Sequence, residues 1–199
     1  MNTFLHVGCG ASRKEHTTPA FAGAGWRELR LDIDERVAPD IVGTMTDMAA
    51  VADASVGAIF SAHNLEHLYP HEVPLAIAEF LRVLTADGFA IITCPDLQSV
   101  AALVAQDKLV DIAYVSPAGP VAPLDMLFGY RPQLALGNLF MAHHCGFTRR
   151  ALADTLAACG FQSVASVRRE SAFDLWAVAS KNTRSEAELR VLAAGHFPP

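Results

Sequence analysis

Short apolar stretches alternate with segments of helical periodicity along most of this chain. The apolar stretches predict five strands in the first half and a pair of strands near the end. These predicted strands cover residues 4–7, 28–33, 40–42, 56–61, 89–94, 164–167 and 175–179. Strands that alternate with helices are typical of an α/β fold, because each parallel connection crosses one face of the sheet.

Helices are predicted from the spacing of apolar residues and from end signals. Residues 71–84 carry apolar side chains at 3.6-residue spacing, and Gly88 follows as part of a stop signal. Thr148 is a suitable N-cap for a helix that Gly160 ends, and residues 184–193 form a last predicted helix.

Residues 96–146 do not fit a single crossover between two strands. A connection of this length inside a compact domain usually has a function of its own. It is rich in prolines and aromatic residues, among them Pro117, Pro120, Pro123, Pro132, Tyr114, Phe128, Tyr130 and Phe140. We expect one domain spanning residues 1–199, in which this inserted segment forms a lid or substrate wall. A homodimer seam is the alternative.

The composition is that of a folded chain with a mild acidic charge. Hydrophobic residues make up 52% and charged residues 18% of the sequence, which excludes a disordered chain. The net charge is −6 and no Lys/Arg cluster is present, which weighs against duplex nucleic acid and anionic membranes as partners. No apolar run approaches the roughly 18 residues that a membrane span needs.

The cysteines and the first residues predict the compartment. Cys9, Cys94, Cys145 and Cys159 show no C-x-x-C spacing, so we expect free thiols in a reducing compartment. The first residues lack the basic and apolar regions of a secretory signal. Both observations favour a cytoplasmic protein.

A glycine loop follows the first predicted strand directly. Gly8 and Gly10 allow a tight turn and a close approach of the backbone to a ligand. The dinucleotide fingerprint needs a third glycine where Arg13 stands, which argues against NAD. Asp32, at the end of the second predicted strand, can accept hydrogen bonds from two ribose hydroxyls; a solvated loop carboxylate is the alternative.

A second carboxylate follows the third predicted strand. Asp47 can accept a hydrogen bond from the exocyclic amine of an adenine, with Met48 against the ring. A helix N-cap is the alternative for Asp47, since aspartate favours that position.

The segment His63-Asn64-Leu65-Glu66-His67 matches the H-x-x-E-H zinc pattern of one peptidase class. That site needs a stable helix and a third ligand, and Pro70 follows too closely for a helix of useful length. We therefore expect no metal, and predict a loop at the carboxyl edge of the sheet, where such folds bind ligands.

His143 and His144 are a further candidate pair. Adjacent side chains do not point the same way, so we predict residues that line a site and not a metal centre. Solvated histidines near a helix start are the alternative.

In this order, the motifs resemble those of class I S-adenosylmethionine-dependent methyltransferases. They are most similar to the small subgroup of predicted methyltransferases related to methyltransferase type 11. The matching segments are Leu5-His6-Val7-Gly8-Cys9-Gly10, Gly25-Trp26, Leu31-Asp32-Ile33-Asp34, Asp40-Ile41-Val42 with Asp47, residues 61–68, residues 79–88, Cys94-Pro95-Asp96-Leu97 and Gly160-Phe161. The resemblance covers residue 4 to about residue 180. It implies a doubly wound, Rossmann-like α/β fold of seven strands, with the last strand antiparallel and helices on both faces.

Two of the departures from the family pattern lie in the first strand and the first crossover. His6 stands where many methyltransferases carry an acidic residue. Residues 11–25 form a poor helix, so the first crossover is expected to be short or irregular.

The resemblance also implies roles for particular residues. S-adenosylmethionine would be the cofactor, held by Gly8, Cys9, Gly10, Asp32, Ile33, Asp47 and Met48, with Ala62 and His63 near the sulfonium. His63, His143 and His144 are the candidate general bases, since histidine titrates near neutral pH. A small molecule, or a glycan or lipid precursor, is the expected acceptor. A cofactor-binding protein without catalysis and a metal-dependent hydrolase are the alternatives.

Overall fold

The computed structural model describes residues 1–198, within which nine strands form. They are β1 (Asn2–Val7), β2 (Trp26–Asp32), β3 (Ile41–Val42), β4 (Val56–Ala62), β5 (Leu84–Pro95), β6 (Tyr114–Ser116), β7 (Gly119–Val121), β8 (Ser163–Arg169) and β9 (Asp174–Ser180). Seven of them build one sheet in the order β3-β2-β1-β4-β5-β9-β8, and β6 and β7 form a separate hairpin.

The strand order reverses direction in the middle of the sheet. β1 pairs in parallel with β2 on one side and with β4 on the other. β9 runs antiparallel to both β5 and β8. The seven-stranded sheet with an antiparallel last strand is therefore confirmed. Sheets of this kind bind ligands at the carboxyl ends of the strands where the order reverses, here β1 and β4.

Helices cover both faces of the sheet, as predicted. Within the described residues they are α1 (Pro19–Ala22), α2 (Val73–Val83), α3 (Leu97–Val104), α4 (Pro123–Phe128), α5 (Arg131–Ala135), α6 (Arg149–Ala158) and α7 (Glu186–His196). Side chains in a strand alternate between faces, so Leu5 packs in the core with α2 and α6, whereas Phe4 packs with α1 and α7. This alternation builds two apolar layers around the sheet.

The start of β5 differs from the prediction, whereas the first crossover is irregular as expected. β5 begins at Leu84, which pairs with Val56, and regular pairing resumes only at Phe89 with Ala58. The residues between them, including the predicted stop at Gly88, therefore bulge from the strand and do not separate it from α2. The expected irregular first crossover consists of a 3-10 turn (Lys14–His16) and the four-residue α1.

The inserted segment begins and ends at neighbouring points of the backbone. The amide of Leu97 donates to the carbonyl of Phe147 at 3.0 Å, and Asp96 forms a parallel bridge with the same residue. Between these points lie α3, the β6–β7 hairpin, α4 and α5, around a small core of Val100, Val121 and Met126. The segment can therefore depart from the sheet edge and return to it without disturbing the strands.

The cysteines are all free thiols in the structure, and two of them, Cys9 and Cys94, are buried. Across residues 1–198, none of the helices is both long enough and apolar enough to cross a bilayer.

Candidate active site

The glycine loop after β1 is held against the loop after β4. Gly8 has a φ of +61°, and a Cβ atom there would lie 1.9 Å from Oδ1 of Asn64, so the position accepts no side chain. The Asn64 amide nitrogen donates to the carbonyl of Val7 at 2.9 Å. Gly10 has a φ of +52°, but its missing Cβ would meet nothing within 4 Å. Gly8 is thus required by packing, whereas Gly10 leaves open space for a ligand.

Asp32 fixes the far side of this loop from the end of β2. One carboxylate oxygen accepts from the amide of Gly10 at 2.7 Å, and the other accepts from the amide of Asp34 at 2.9 Å. Each oxygen keeps the capacity to accept a further hydrogen bond. Asp34 is less available, because its carboxylate already pairs with Arg36 at 2.7 Å, which lowers the pKa of Asp34.

A buried arginine stabilises the loop from below. Arg30 is only 2% exposed and donates to the carbonyls of Gly10 at 2.5 Å and Ala38 at 2.8 Å. These contacts tie the glycine loop to the turn after β2, so the backbone around Asp32 is preorganised.

A cavity of about 500 Å³ opens at this edge of the sheet. One side, which we call the strand-end wall, is formed by Gly8–Gly10, Asp32, Ile33 and the residues after β4. The opposite side, which we call the inserted wall, is formed by Asn138–Met141 and His144. Seven predicted cofactor residues therefore lie together along the cavity: Gly8, Cys9, Gly10, Asp32, Ile33, Ala62 and His63.

Asp47 and Met48 do not line this cavity, contrary to the sequence prediction. Met48 is buried in the core, and Asp47 is exposed, with its carboxylate accepting from the amide of Ala49 at 3.2 Å. No helix begins at Asp47, so the N-cap alternative is not found either, and the carboxylate closes a local turn instead. Residues 43–45 line the cavity instead. They directly follow β3, so the rule that ligands bind beyond strand ends could have identified them.

His63 lies on the strand-end wall in a left-handed conformation, with φ at +55°. Its side chain is half exposed, and its Nδ1 is 3.5 Å from Oε1 of Glu66. Partial burial lowers the pKa of His63, but the Glu66 carboxylate outweighs this and raises the pKa above its ordinary value. His63 thus combines access to the cavity with a charged partner behind it.

The two adjacent histidines of the inserted segment point in different directions, as expected. His144 lines the cavity and its ring stacks on Tyr69, with centroids 4.1 Å apart. His143 is not a lining residue: its Nδ1 is 2.8 Å from the carbonyl of Met126, and burial lowers its pKa. His143 therefore does not line the cavity directly, and a role for it as a base stays a prediction.

Three features of the site escaped the sequence interpretation. Asn64 fixes the glycine loop, His67 is a lining residue, and the 3-10 turn Leu65–His67 buries Glu66 to 1% exposure. Burial raises the pKa of Glu66, but the histidines around it outweigh burial and lower it. The only sequence signal for these residues was the H-x-x-E-H pattern itself.

Comparisons with known proteins agree with this geometry. Residues 5–92 match the family model described as a methyltransferase domain, and no curated protein sequence matches the chain. The chain is similar to 1,6-didemethyltoxoflavin-N1-methyltransferase from Burkholderia thailandensis, solved with 1,6-didemethyltoxoflavin and S-adenosylhomocysteine bound. The identity is 16% over 92% of this chain and 72% of that chain, with a TM-score of 0.56.

Two further methyltransferase structures show the same fold. A S-adenosylmethionine-dependent methyltransferase from Methanosarcina mazei has 17% identity over 92% of this chain and 93% of that chain, with a TM-score of 0.58. One from Archaeoglobus fulgidus has 13% identity over 90% and 86%, with a TM-score of 0.60. The domain match covers the first half of the sheet and the solved structures share the whole fold, so both agree with the resemblance to class I S-adenosylmethionine-dependent methyltransferases.

Proposed function

We propose that this chain transfers a methyl group from S-adenosylmethionine to a small molecule, with glycan or lipid precursors included among the acceptors. The observation that carries the proposal is the cavity at the carboxyl ends of β1, β2 and β4, next to the glycine loop and Asp32. When bound, S-adenosylmethionine supplies an activated methyl group on a positively charged sulfur. The protein then has to align the acceptor and exclude water.

The strand-end wall fits such a cofactor. The open space beside Gly10 admits the methionine end, and the two carboxylate oxygens of Asp32 can each accept from one ribose hydroxyl. Thr44 and Met45 line the part of the cavity where the adenine would lie. They replace Asp47 and Met48, to which the sequence analysis gave this contact.

The inserted wall fits the acceptor and the cover of the site. Leu139, Phe140 and Met141 present apolar surface to the cavity, and Asn138 carries a buried amide oxygen without a hydrogen-bond partner. An acceptor with an apolar body and one hydrogen-bond donor satisfies both features. His63 and His144 are the two histidines placed to take a proton from an oxygen or nitrogen nucleophile there. In the methyltransferase from Burkholderia thailandensis, the bound partner is also a small molecule.

Binding of the cofactor product tests the first half of the proposal. Calorimetry with S-adenosylhomocysteine should show one site per chain, whereas NAD should not bind. Asp32→Ala should weaken binding at least about tenfold, because two hydrogen bonds to a charged acceptor are lost. Asp34→Ala is the matched control, because that carboxylate already pairs with Arg36. Equal losses in both variants, or no loss in Asp32→Ala, would contradict the assignment of the ribose contact.

Turnover tests the second half. S-adenosylhomocysteine release from S-adenosylmethionine should appear with at least one member of a panel of small apolar hydroxy and amino compounds, glycan precursors and lipid precursors. His63→Asn and His144→Asn should identify the base by a fall in kcat without a matching fall in cofactor affinity. Tight cofactor binding without turnover across the panel would favour a binding protein.

The four free thiols support a reducing compartment, and we retain the cytoplasm as the location.

A further inference from the structure

Three side chains capable of binding a metal meet beside the cavity, and the methyl-transfer proposal uses none of them. Glu66 and His67 lie on the 3-10 turn Leu65–His67 after β4, and His143 comes from the inserted segment. One ligand atom of each side chain lies within 4.8 Å of the others. The rings of His67 and His143 face each other edge to face, with centroids 4.8 Å apart.

Glu66 is the unusual member of this cluster. Its side chain is 1% exposed, and neither carboxylate oxygen has a hydrogen-bond partner. The nearest candidate donor, Nδ1 of His63, is 3.5 Å away, which is too far for a good hydrogen bond. A buried carboxylate without partners is costly, and a bound cation is one of the few ways to compensate for it.

The two imidazoles are already oriented as metal ligands are. Nδ1 of His67 lies 3.0 Å from the carbonyl of Ala142, and Nδ1 of His143 lies 2.8 Å from the carbonyl of Met126. A carbonyl only accepts hydrogen bonds, so each Nδ1 carries the proton and each Nε2 keeps a free lone pair. Metal-binding histidines are typically held in this way by a backbone carbonyl on the other ring nitrogen.

We propose that Glu66, His67 and His143 bind one zinc ion. Two imidazole nitrogens and a carboxylate oxygen are a common protein donor set for zinc, and a fourth position remains for water or another oxygen ligand. Tetrahedral zinc places its ligand atoms about 3.3 Å apart, so small side-chain rotations would close the cluster. The ion would join the inserted segment to the loop after β4.

The sequence argument against a metal rested on two requirements that the fold meets differently. It asked for a long helix, but the 3-10 turn already brings Glu66 and His67 together. It also asked for a third ligand, and the inserted segment supplies His143. The backbone confirms the close fit, because the amides of His144 and Cys145 donate to the carbonyl of Glu66 at 2.8 and 3.2 Å.

Zinc titration of the full chain tests the proposal. Protein stripped with a chelator, reconstituted with zinc and desalted should retain about one zinc per chain by elemental analysis. Glu66→Gln and His143→Ala should each weaken zinc binding by about 100-fold or more, since each removes a ligand. His71→Ala is the matched control: an exposed nearby histidine whose loss should leave the affinity unchanged. Glu66→Gln preserves side-chain volume, so it stays informative if His143→Ala fails to fold.

Absorption spectroscopy at the zinc edge identifies the ligands. Nitrogen and oxygen neighbours alone are expected. A sulfur neighbour would point to Cys145, which lies against the same turn and donates to the carbonyl of Leu65, and would overturn the ligand set. Zinc retention below about 0.1 per chain in the unmodified protein, or ligand variants that retain as much zinc as the unmodified protein, would overturn the site itself. Calorimetry with S-adenosylhomocysteine on the same samples reports the cofactor site independently, so the two proposals fail separately.

Discussion

The sheet framework and the inserted segment are stabilised by different kinds of contact. In the framework, which is the seven-stranded sheet with α1, α2, α6 and α7, two continuous apolar layers cover the strands. The inserted segment has a small core cluster of three buried apolar residues. It exposes many others, among them Val110, Ile112, Val115, Phe128, Leu136, Leu139 and Phe140. It is held by polar contacts, notably the pairing of Asp125 with Arg131.

Because of this difference, one wall of the cavity is rigid and the other wall can change its conformation. The strand-end wall is part of the stable framework, so its backbone groups keep a fixed position for a ligand. The inserted wall has few buried apolar contacts, so it can open at low cost in free energy. A site that must hold one constant cofactor and admit a particular acceptor benefits from such a division.

The largest effect is expected where the strand-end wall is most tightly packed. Gly8→Ala adds a Cβ 1.9 Å from Oδ1 of Asn64 at a positive φ. Left-handed backbone and overpacking together should lower the free energy of unfolding by about 2–5 kcal/mol. Denaturant unfolding measures this loss.

Gly10→Ala is the control for that substitution. It has the same positive φ, but its Cβ meets nothing within 4 Å, so it should lose only about 1–2 kcal/mol. It should nevertheless weaken S-adenosylhomocysteine binding, since the new methyl group occupies space beside the loop. Equal stability losses in the two variants would show that packing against Asn64 is unimportant.

The stability of the framework should also depend on pH, because the framework contains a buried histidine. His196 in α7 is 3% exposed, and burial lowers its pKa to about 4. An unfolded histidine titrates near 6.5, so the unfolded chain binds more protons between pH 6.5 and pH 4. The free energy of unfolding should therefore fall as the pH falls through this window, by about 3 kcal/mol at most.

The variant His196→Gln isolates this contribution. It should flatten the slope of stability against pH between 6.5 and 4, whereas the exposed His71→Gln should keep the slope of the unmodified chain. Thermal unfolding across the pH range provides the measurement. An unchanged slope in His196→Gln would assign the acid sensitivity elsewhere, with the buried His6 as the next candidate.

The inserted segment should depend on one ionic contact. Asp125 is 4% exposed and accepts from the amides of Ala122 and Arg131 and from the Arg131 guanidinium at 2.7 Å. Asp125→Ala should destabilise the segment locally by about 2 kcal/mol, because buried donors lose a charged acceptor.

Hydrogen exchange locates that effect. Amides of the inserted segment should exchange faster in Asp125→Ala, while those of β1 and β4 should not change. Asp154→Ala in α6 is the control, since its exposed pairing with Arg150 contributes less than about 0.5 kcal/mol. Equal acceleration throughout the chain would mean that the segment unfolds only together with the framework.

The same contrast explains which features were predictable from the sequence. The framework follows from local patterns: β1 and its glycine loop are contiguous, and Asp32 ends a recognisable strand. The inserted segment brings together residues that are distant in sequence, so neither the contact of His143 with His67 nor the placement of Asn138–Met141 on the cavity has a local signal. The sequence analysis placed Met48 beside the adenine because a local pattern does not reveal which side of a turn is buried in the core.

The smallest effect is expected at the inserted wall. Phe140 lines the cavity with about half of its side chain exposed, so a bound cofactor would cover part of the ring. Phe140→Ala should weaken S-adenosylhomocysteine binding about fivefold, which corresponds to about 1 kcal/mol of apolar burial. Stability should change little, since the ring has few contacts in the free protein. Calorimetry and thermal unfolding measure the two quantities.

Leu136→Ala is the matched control for Phe140→Ala, because Leu136 is exposed and lies outside the cavity lining.

Hydrogen exchange with and without S-adenosylhomocysteine then separates a lid from a homodimer seam. A lid gains protection across residues 110–145 on ligand binding at every protein concentration. Protection that depends on protein concentration and ignores the ligand would assign these apolar residues to a seam between two copies. In that case Phe140→Ala and Leu136→Ala should both weaken self-association, and neither should alter cofactor affinity.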